Sequence, residues 1–200
     1  NYSRGLSMRN AAGTFLFRPI SQQIKKDGTA VEIITVFQRK EGQICEHHLS
    51  CDGIHPVLNC RNIYINDTKN KITFEMLSSF SLSGISPFQK KDTKRILRVH
   101  RIRSRWSAEG RLETRRVEDM QLEEAWVNYG LRTERFGQIG SMPVRSFFPF
   151  VALEDTVHGV IWAVSLETQA SWQMEIGRYN DKVSLTGGLA DFEFGHWRKT

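Results

Sequence analysis

The stretch Val160-Ile161-Trp162-Ala163-Val164-Ser165-Leu166, joined by Glu167-Thr168-Gln169-Ala170 to Ser171-Trp172-Gln173-Met174-Glu175-Ile176, decides the fold class. In its first half Val160, Trp162, Val164 and Leu166 share one face of an extended chain. In its second half Trp172, Met174 and Ile176 do the same, with Gln173 and Glu175 opposite. Successive side chains of a strand point to opposite faces, so this period of two predicts half-buried antiparallel strands. The short connection predicts that the two form a hairpin. The aromatic cluster Phe147-Phe148-Pro149-Phe150 precedes them, and Gly187-Gly188-Leu189-Ala190-Asp191 with Gly195-His196-Trp197 follows.

Outward from this stretch the pattern repeats. Val31–Arg39 is rich in β-branched residues and predicts a strand, with a turn at Lys25-Lys26-Asp27-Gly28 before it. Thr14–Phe17 predicts a short strand stopped by Pro19. Gln43–Cys60 lacks periodicity and predicts mainly loop. Arg61–Asn66 and Lys71–Leu77 alternate and predict a hairpin about Asp67–Asn70. Ser78–Phe88 reads as a loop or irregular edge, and Lys90–Lys94 as an exposed connection. Arg95–Arg116 is the longest strand candidate, with Val99, Arg101, Arg103 and Arg105 on one face and His100, Ile102, Ser104 and Trp106 on the other. Glu118–Trp126 predicts a strand or one short turn, and Leu131–Phe136 and Val144–Phe148 predict further strands. About a dozen strands, almost no helix and no internal repeat predict an all-β protein. The expected architecture is a large twisted antiparallel β-sandwich, with residues 1–200 as one domain.

Composition excludes several classes. The 200 residues are 40% hydrophobic and 25% charged, ordinary for a globular protein. No apolar run reaches the length needed to span a membrane. The net charge of +6 is spread along strands and mixed with acids, and no nucleic-acid-binding signature occurs, so no nucleic-acid partner is expected. Phosphate-binding glycine motifs are absent, and no cofactor is expected. Cys45, Cys51 and Cys60 lie among His47, His48 and His55 without the spacing of a zinc knuckle, so no metal site is expected. An odd cysteine count speaks against a secreted disulfide framework and for the cytoplasm.

Candidate site residues are few. No catalytic signature appears. Glu118-Asp119, Glu123-Glu124 and Glu154-Asp155 are acid pairs, but strand neighbours point apart and cannot form a glycosidase dyad. Glu154-Asp155 closes the Phe147–Leu153 segment in an expected loop. Three arginines, Arg101, Arg103 and Arg105, predict either a solvated strand face or a contact with carboxylates of another domain or subunit. Among the tryptophans, Trp162 and Trp172 continue apolar stripes and predict core. Trp106, beside Arg105, is the one less easily assigned to packing, and exposed aromatic faces are what sugar-binding modules use.

Several segments resemble, in the same order, the amino-terminal domain of family 36 glycoside hydrolases, the α-galactosidases or melibiases. They are residues 79–88 (SFSLSGISPF), 103–111 (RSRWSAEGR), 134–141 (ERFGQIGS), 143–155, and 187–191 (GGLAD) with 195–197 (GHW). The first 60 or so residues fit less closely. The resemblance implies a sandwich placed before a (β/α)8 barrel that would follow Thr200 and would hold both carboxyls of a retaining mechanism. It therefore implies a non-catalytic domain of an enzyme acting on α-galactosides such as melibiose or raffinose. Its partners would be its own barrel and further copies in a homo-oligomer. On this reading Arg101, Arg103, Arg105, Trp106, Glu154 and Asp155 lie near a domain or subunit contact. The alternative expectation is a free-standing carbohydrate-binding or interaction module. A complete hydrolase within 200 residues would need a dyad that the sequence does not offer.

Overall fold

The computed structural model describes residues 7–85, 94–122, 131–140, 145–179 and 182–190. Twelve strands and two 3-10 turns make up its regular structure. One domain is expected from the sequence; the described residues gather into two compact units, residues 10–74 and residues 75–190 with 7–9.

The smaller unit is a meander of four antiparallel strands: β1 (Arg18–Asp27), β2 (Ala30–Gln38), β3 (Gln43–Cys51) and β4 (Asn59–Asn66), in that spatial order. Expected strand Thr14–Phe17 is instead part of a 3-10 turn, Ala12–Leu16. Pro19 does not stop a strand but sits inside β1, where the register slips between Pro19 and Ser21. A proline that cannot donate to the ladder is tolerated on such a bulged edge. Gln43–Cys51 is a strand rather than loop. Nearly all its residues are half-buried, so its two faces are equally polar and the amphipathic signal of period two is lost. Phe17 and Phe74 close edge-on around Tyr64, at centroid distances of 5.9 and 4.1 Å.

The larger unit holds two four-stranded sheets. One runs β10 (Val160–Ser165), β9 (Phe147–Asp155), β6 (Leu97–Arg103), β7 (Leu112–Arg116); the other runs β5 (Met76–Ser83), β12 (Lys182–Ala190), β11 (Trp172–Tyr179), β8 (Leu131–Gln138). All pairings are antiparallel. Between the sheets lies a dry core of Leu97, Val99, Val151, Leu153, Trp172, Met174, Ile176 and Leu185, each at most 1% exposed. Phe136 meets Phe147 across the sheets at 5.8 Å and Trp172 at 5.9 Å, both edge-on. The all-β sandwich expected from the sequence is the architecture observed.

Three pairings differ from expectation. β10 and β11 are both strands, but they belong to opposite sheets, so residues 166–171 cross the sandwich instead of turning a hairpin. Both stripes face one core from two sides, and alternation alone cannot distinguish that from pairing. The expected hairpin of Arg61–Asn66 with Lys71–Leu77 is likewise absent, because β5 begins at Met76 and pairs with β12. Arg95–Arg116 is two strands, β6 and β7, turned back at Ser104–Arg111. Ser78–Ser83 belongs to β5, at an edge of its sheet. Glu118–Met120 forms one 3-10 turn, while Trp126, Trp197 and Val144 lie outside the described residues.

The outer face of the β5–β12–β11–β8 sheet is polar and still buried: Gln173, Glu175 and Thr186 are 6%, 2% and 1% exposed. Residues 7–9 cover it. The Met8 amide donates to Glu175 Oε1 (2.9 Å), and the Arg9 guanidinium donates to the hydroxyls of Ser81 and Ser83 (both 3.0 Å). Arg135 supplies the counter-charge, with Nε 2.7 Å from Glu175 Oε2. A buried carboxylate is tolerated because both of its oxygens are engaged.

Candidate functional site

The β6–β7 hairpin carries four of the six residues that the sequence points to, and it separates them. Arg101 is 6% exposed. Its guanidinium donates to Glu113 Oε1 from Nε (3.2 Å) and Nη2 (2.5 Å), and lies 3.4 Å from Glu134 Oε1. Phe147 and Phe136 sandwich the cation at 4.6 and 5.1 Å. Both carboxylates that its planar fork meets belong to its own unit. Arg103, half-buried, donates to the other oxygen of Glu113 and stacks on Phe147 at 4.9 Å. Arg115 Nε approaches the same carboxylate at 3.7 Å. Burial pushes the Glu113 carboxyl up, but the hydrogen bonds and charges of Arg101 and Arg103 outweigh it, and its pKa lies below the ordinary glutamate value.

Arg105 and Trp106 stand beyond this cluster, at the hairpin's tip. Trp106 is 96% exposed. The tip is tied by backbone bonds: Gly110 N–H to Arg103 O, Arg103 N–H to Arg111 O, and Ala108 N–H to Arg105 O, each 2.8 Å. Ser107 and Gly110 take positive φ of 60° and 73° to complete the turn. Trp172 is buried as expected. Trp162 is half-exposed, with its indole N–H on Ile85 O at 3.0 Å.

Glu154 and Asp155 end β9 instead of forming a loop, and they point to opposite faces. Glu154 Oε2 accepts from His100 Nε2 at 3.0 Å, and His100 Nδ1 lies 2.9 Å from Thr114 Oγ1. This hydroxyl–imidazole–carboxylate line, which the sequence reading missed, crosses β7, β6 and β9. The hairpin register that sets His100 opposite Thr114 and Ala152 produces it. Acyl transfer also needs backbone donors aimed at a developing oxyanion. On β6, between its two neighbours, those groups are taken up in ladders, and the line serves to cross-link three strands.

Asp155, 1% exposed, caps the turn into β10. Its Oδ1 accepts the Val157 and His158 amides (both 3.0 Å), and Oδ2 contacts His158 Nδ1 at 2.8 Å. Asp52 repeats this after β3, with the Ile54 and His55 amides (both 2.9 Å) and His55 Nδ1 (2.6 Å). The side-chain bond from His55, then the two amides, hold the Asp52 carboxyl down to about 2. An NMR titration should show Asp52 with a midpoint near that value, rising part of the way toward about 3.9 in His55→Ala, because the two amides remain. A depressed folded pKa stabilises the turn above the unfolded value, and that contribution fades as pH falls from about 4 through 2.

The histidine–cysteine stretch is part of the smaller sheet. His47 Nδ1 lies 2.8 Å from Asn62 Oδ1, and His48 bridges Glu32 (2.9 Å) and Glu46 (3.2 Å). Cys45, Cys51 and Cys60 form no disulfide, and burial raises the pKa of Cys45 and Cys60. Among the described residues no three His, Cys, Asp or Glu side chains are grouped to hold a metal ion. An open hollow of about 590 Å³ beside Lys25, Asp27, Val31, Glu32, Asp52 and Asn59 carries mixed charge and no aromatic platform. Glu118 pairs with buried Arg178 at 2.8 Å, and Asp119 pairs with Arg116 at 3.0 Å. Glu123 and Glu124 lie outside the described residues. No helix among the described residues is long and apolar enough to cross a membrane.

No protein-family model and no curated protein matches this sequence. Solved structures do. The GH36 α-galactosidase AgaA from Geobacillus stearothermophilus superposes with a TM-score of 0.65 at 12% identity, over 91% of this chain and 25% of that one. The α-galactosidase from Lactobacillus brevis gives a TM-score of 0.62 at 11% identity, over 91% and 24%. The chain thus has the fold of a segment of GH36 α-galactosidases and spans about a quarter of their length.

Proposed function

We propose that this chain is the non-catalytic amino-terminal sandwich of a retaining α-galactosidase, a melibiase-type enzyme, where it supports a catalytic barrel and takes part in subunit assembly. The observation that carries this reading is the match of 91% of the chain to a quarter of two such enzymes. The collinear motifs of residues 79–197 point the same way. The local chemistry agrees with it. Arg101, Glu113, Asp155, Glu175 and Arg178 are spent on holding strands together. Three thiols without a disulfide fit a reducing, cytoplasmic setting. Of the six candidate residues, Arg105 and Trp106 remain available for a domain or subunit contact, with Arg103 partly so.

The test is the intact mass of the native polypeptide, followed by a deletion. A mass several times 23.1 kDa, with α-galactosidase activity that collapses when residues 1–200 are removed, is the expected result. A native mass near 23.1 kDa would sink the reading. The bare face of Trp106 would then favour a free-standing carbohydrate-binding module, to be tested by calorimetry of the chain with galactosides.

A further inference from the structure

We infer that the tip of the β6–β7 hairpin is a plug that seats in an apolar notch of an acidic protein surface, with Trp106 as its anchor. The inference rests on the proposed assembly role and names the chemistry of the surface that the role requires. Residues 101–116 hold six arginines against Glu109 and Glu113, a local net charge of +4 within a chain of +6. The pairing inside the hairpin deepens the imbalance. The single charge of Glu113 faces Arg101, Arg103 and Arg115 together, and among the described residues only Arg101 of these has a further acid, Glu134. Arg105 and Arg111 are exposed and pair with no acid among the described residues. Asp119 neutralises Arg116, and the excess that remains around Arg105 and Arg111 attracts an acidic partner and speeds its approach.

Between those two arginines stands an indole with 96% of its surface in water, and Leu112, 60% exposed, follows. The backbone bonds that tie the tip favour its turn before any partner arrives, which lowers the ordering that binding must supply. Tryptophan and arginine dominate the residues that carry interface affinity, and they do so when a partner pocket fully desolvates them. The shape selects the class of partner. Small ligands bind in hollows, whereas this tip projects from the end of a two-stranded hairpin, so the hollow belongs to the partner.

The test uses the whole chain and two labelled peptide probes, one alternating Glu and Leu and one alternating Lys and Leu. The Glu/Leu probe should bind, and its affinity should fall about thirtyfold in Trp106→Ala and comparably in the double variant Arg105→Glu/Arg111→Glu. Raising salt from low to several hundred millimolar should weaken it about tenfold. Both changes lie on exposed residues, and unchanged melting temperatures would confirm that the fold is kept. Equal binding of the two probes, or a Trp106→Ala variant that binds as the parent does, overturns the inference. So does tighter binding of a single-stranded oligonucleotide with the same dependence on Trp106, which would assign the tip to nucleic acid. The barrel-support reading is tested on the longer native polypeptide, so either can fail while the other stands.

Discussion

Replacing Glu113 by alanine should lower the melting temperature of the sandwich unit by about 10 °C or more. Arg101 is 6% exposed between the sheets, and Glu113 takes two of its donors. Without that carboxylate the cation stays between Phe136 and Phe147 with, among the described residues, the 3.4 Å contact to Glu134 as its remaining acid. Breaking a buried pair by removing one partner typically costs 3–5 kcal/mol, because an uncompensated charge is left in low dielectric. For a unit of this size each kcal/mol corresponds to roughly 4 °C. The double change Arg101→Met/Glu113→Met should lose much less than Glu113→Ala, since it leaves no orphan at position 101, and Arg103 and Arg115 reach water. Acid should erase the difference between wild type and Glu113→Gln. The Glu113 pKa is depressed in the folded state, so its stabilisation is present above the unfolded value near 4.3 and is lost as pH falls below it. Thermal melts of the four proteins at pH 7, and of wild type and Glu113→Gln down to pH 3, check this. A Glu113→Ala variant that melts within 2 °C of wild type would mean that Arg101 is not held as described.

That cluster shows where the sequence is legible and where it stops. The alternation Val99, Arg101, Arg103 is visible, and both the shared face and the strand are right as far as Arg103. Its partner was hidden because Arg95–Arg116 reads as one long strand, which would put Glu113 far along the same ladder rather than beside Arg101. Only the turn at Ser104–Arg111 brings them together. The same limit explains β10 and β11. Local periodicity reports which face meets the core, and two strands in different sheets facing one core give the same report as a hairpin. β2 was legible because apolar and β-branched residues dominate it, and β4 because Ile63 and Ile65 alternate with Asn62 and Tyr64. β1, exposed along its whole length, and β3, half-buried on both faces, carry no amphipathic contrast to read. At the site, the composition of the hairpin pointed to Trp106 and Arg105. The turn-capping role of Asp155 needed tertiary burial to become visible.

Replacing Gly188 by alanine should be among the most damaging single-methyl additions to the larger unit. β12 and β5 pair with a bulge at this point: Gly187 stands opposite Phe80 and Gly188 opposite Ser78, so Ser79 is the extra residue. The bulge draws β5 close. A Cβ on Gly188 would lie 2.3 Å from Leu77 O and 2.5 Å from Ser78 Cα. These are backbone atoms, which cannot rotate aside, so relief requires the strands to separate. Overpacking costs typically 1–3 kcal/mol where side chains can adjust, and this case belongs at or above the top of that range. Gly177, on neighbouring β11, is the matched control. Its added Cβ would meet Ser184 Oγ at 3.0 Å, the end of a side chain that can turn, so Gly177→Ala should cost under about 1 kcal/mol. The readout that isolates the cause is hydrogen exchange. In Gly188→Ala the amides of residues 77–82 should lose protection before those of β9 and β6 in the opposite sheet, because among the described residues β5 is an edge strand paired only with β12. Uniform loss of protection across both sheets would mean that the methyl is felt through the core and not through the β5–β12 bulge. Unchanged protection in both variants would mean that β5 is not seated on β12 at this register.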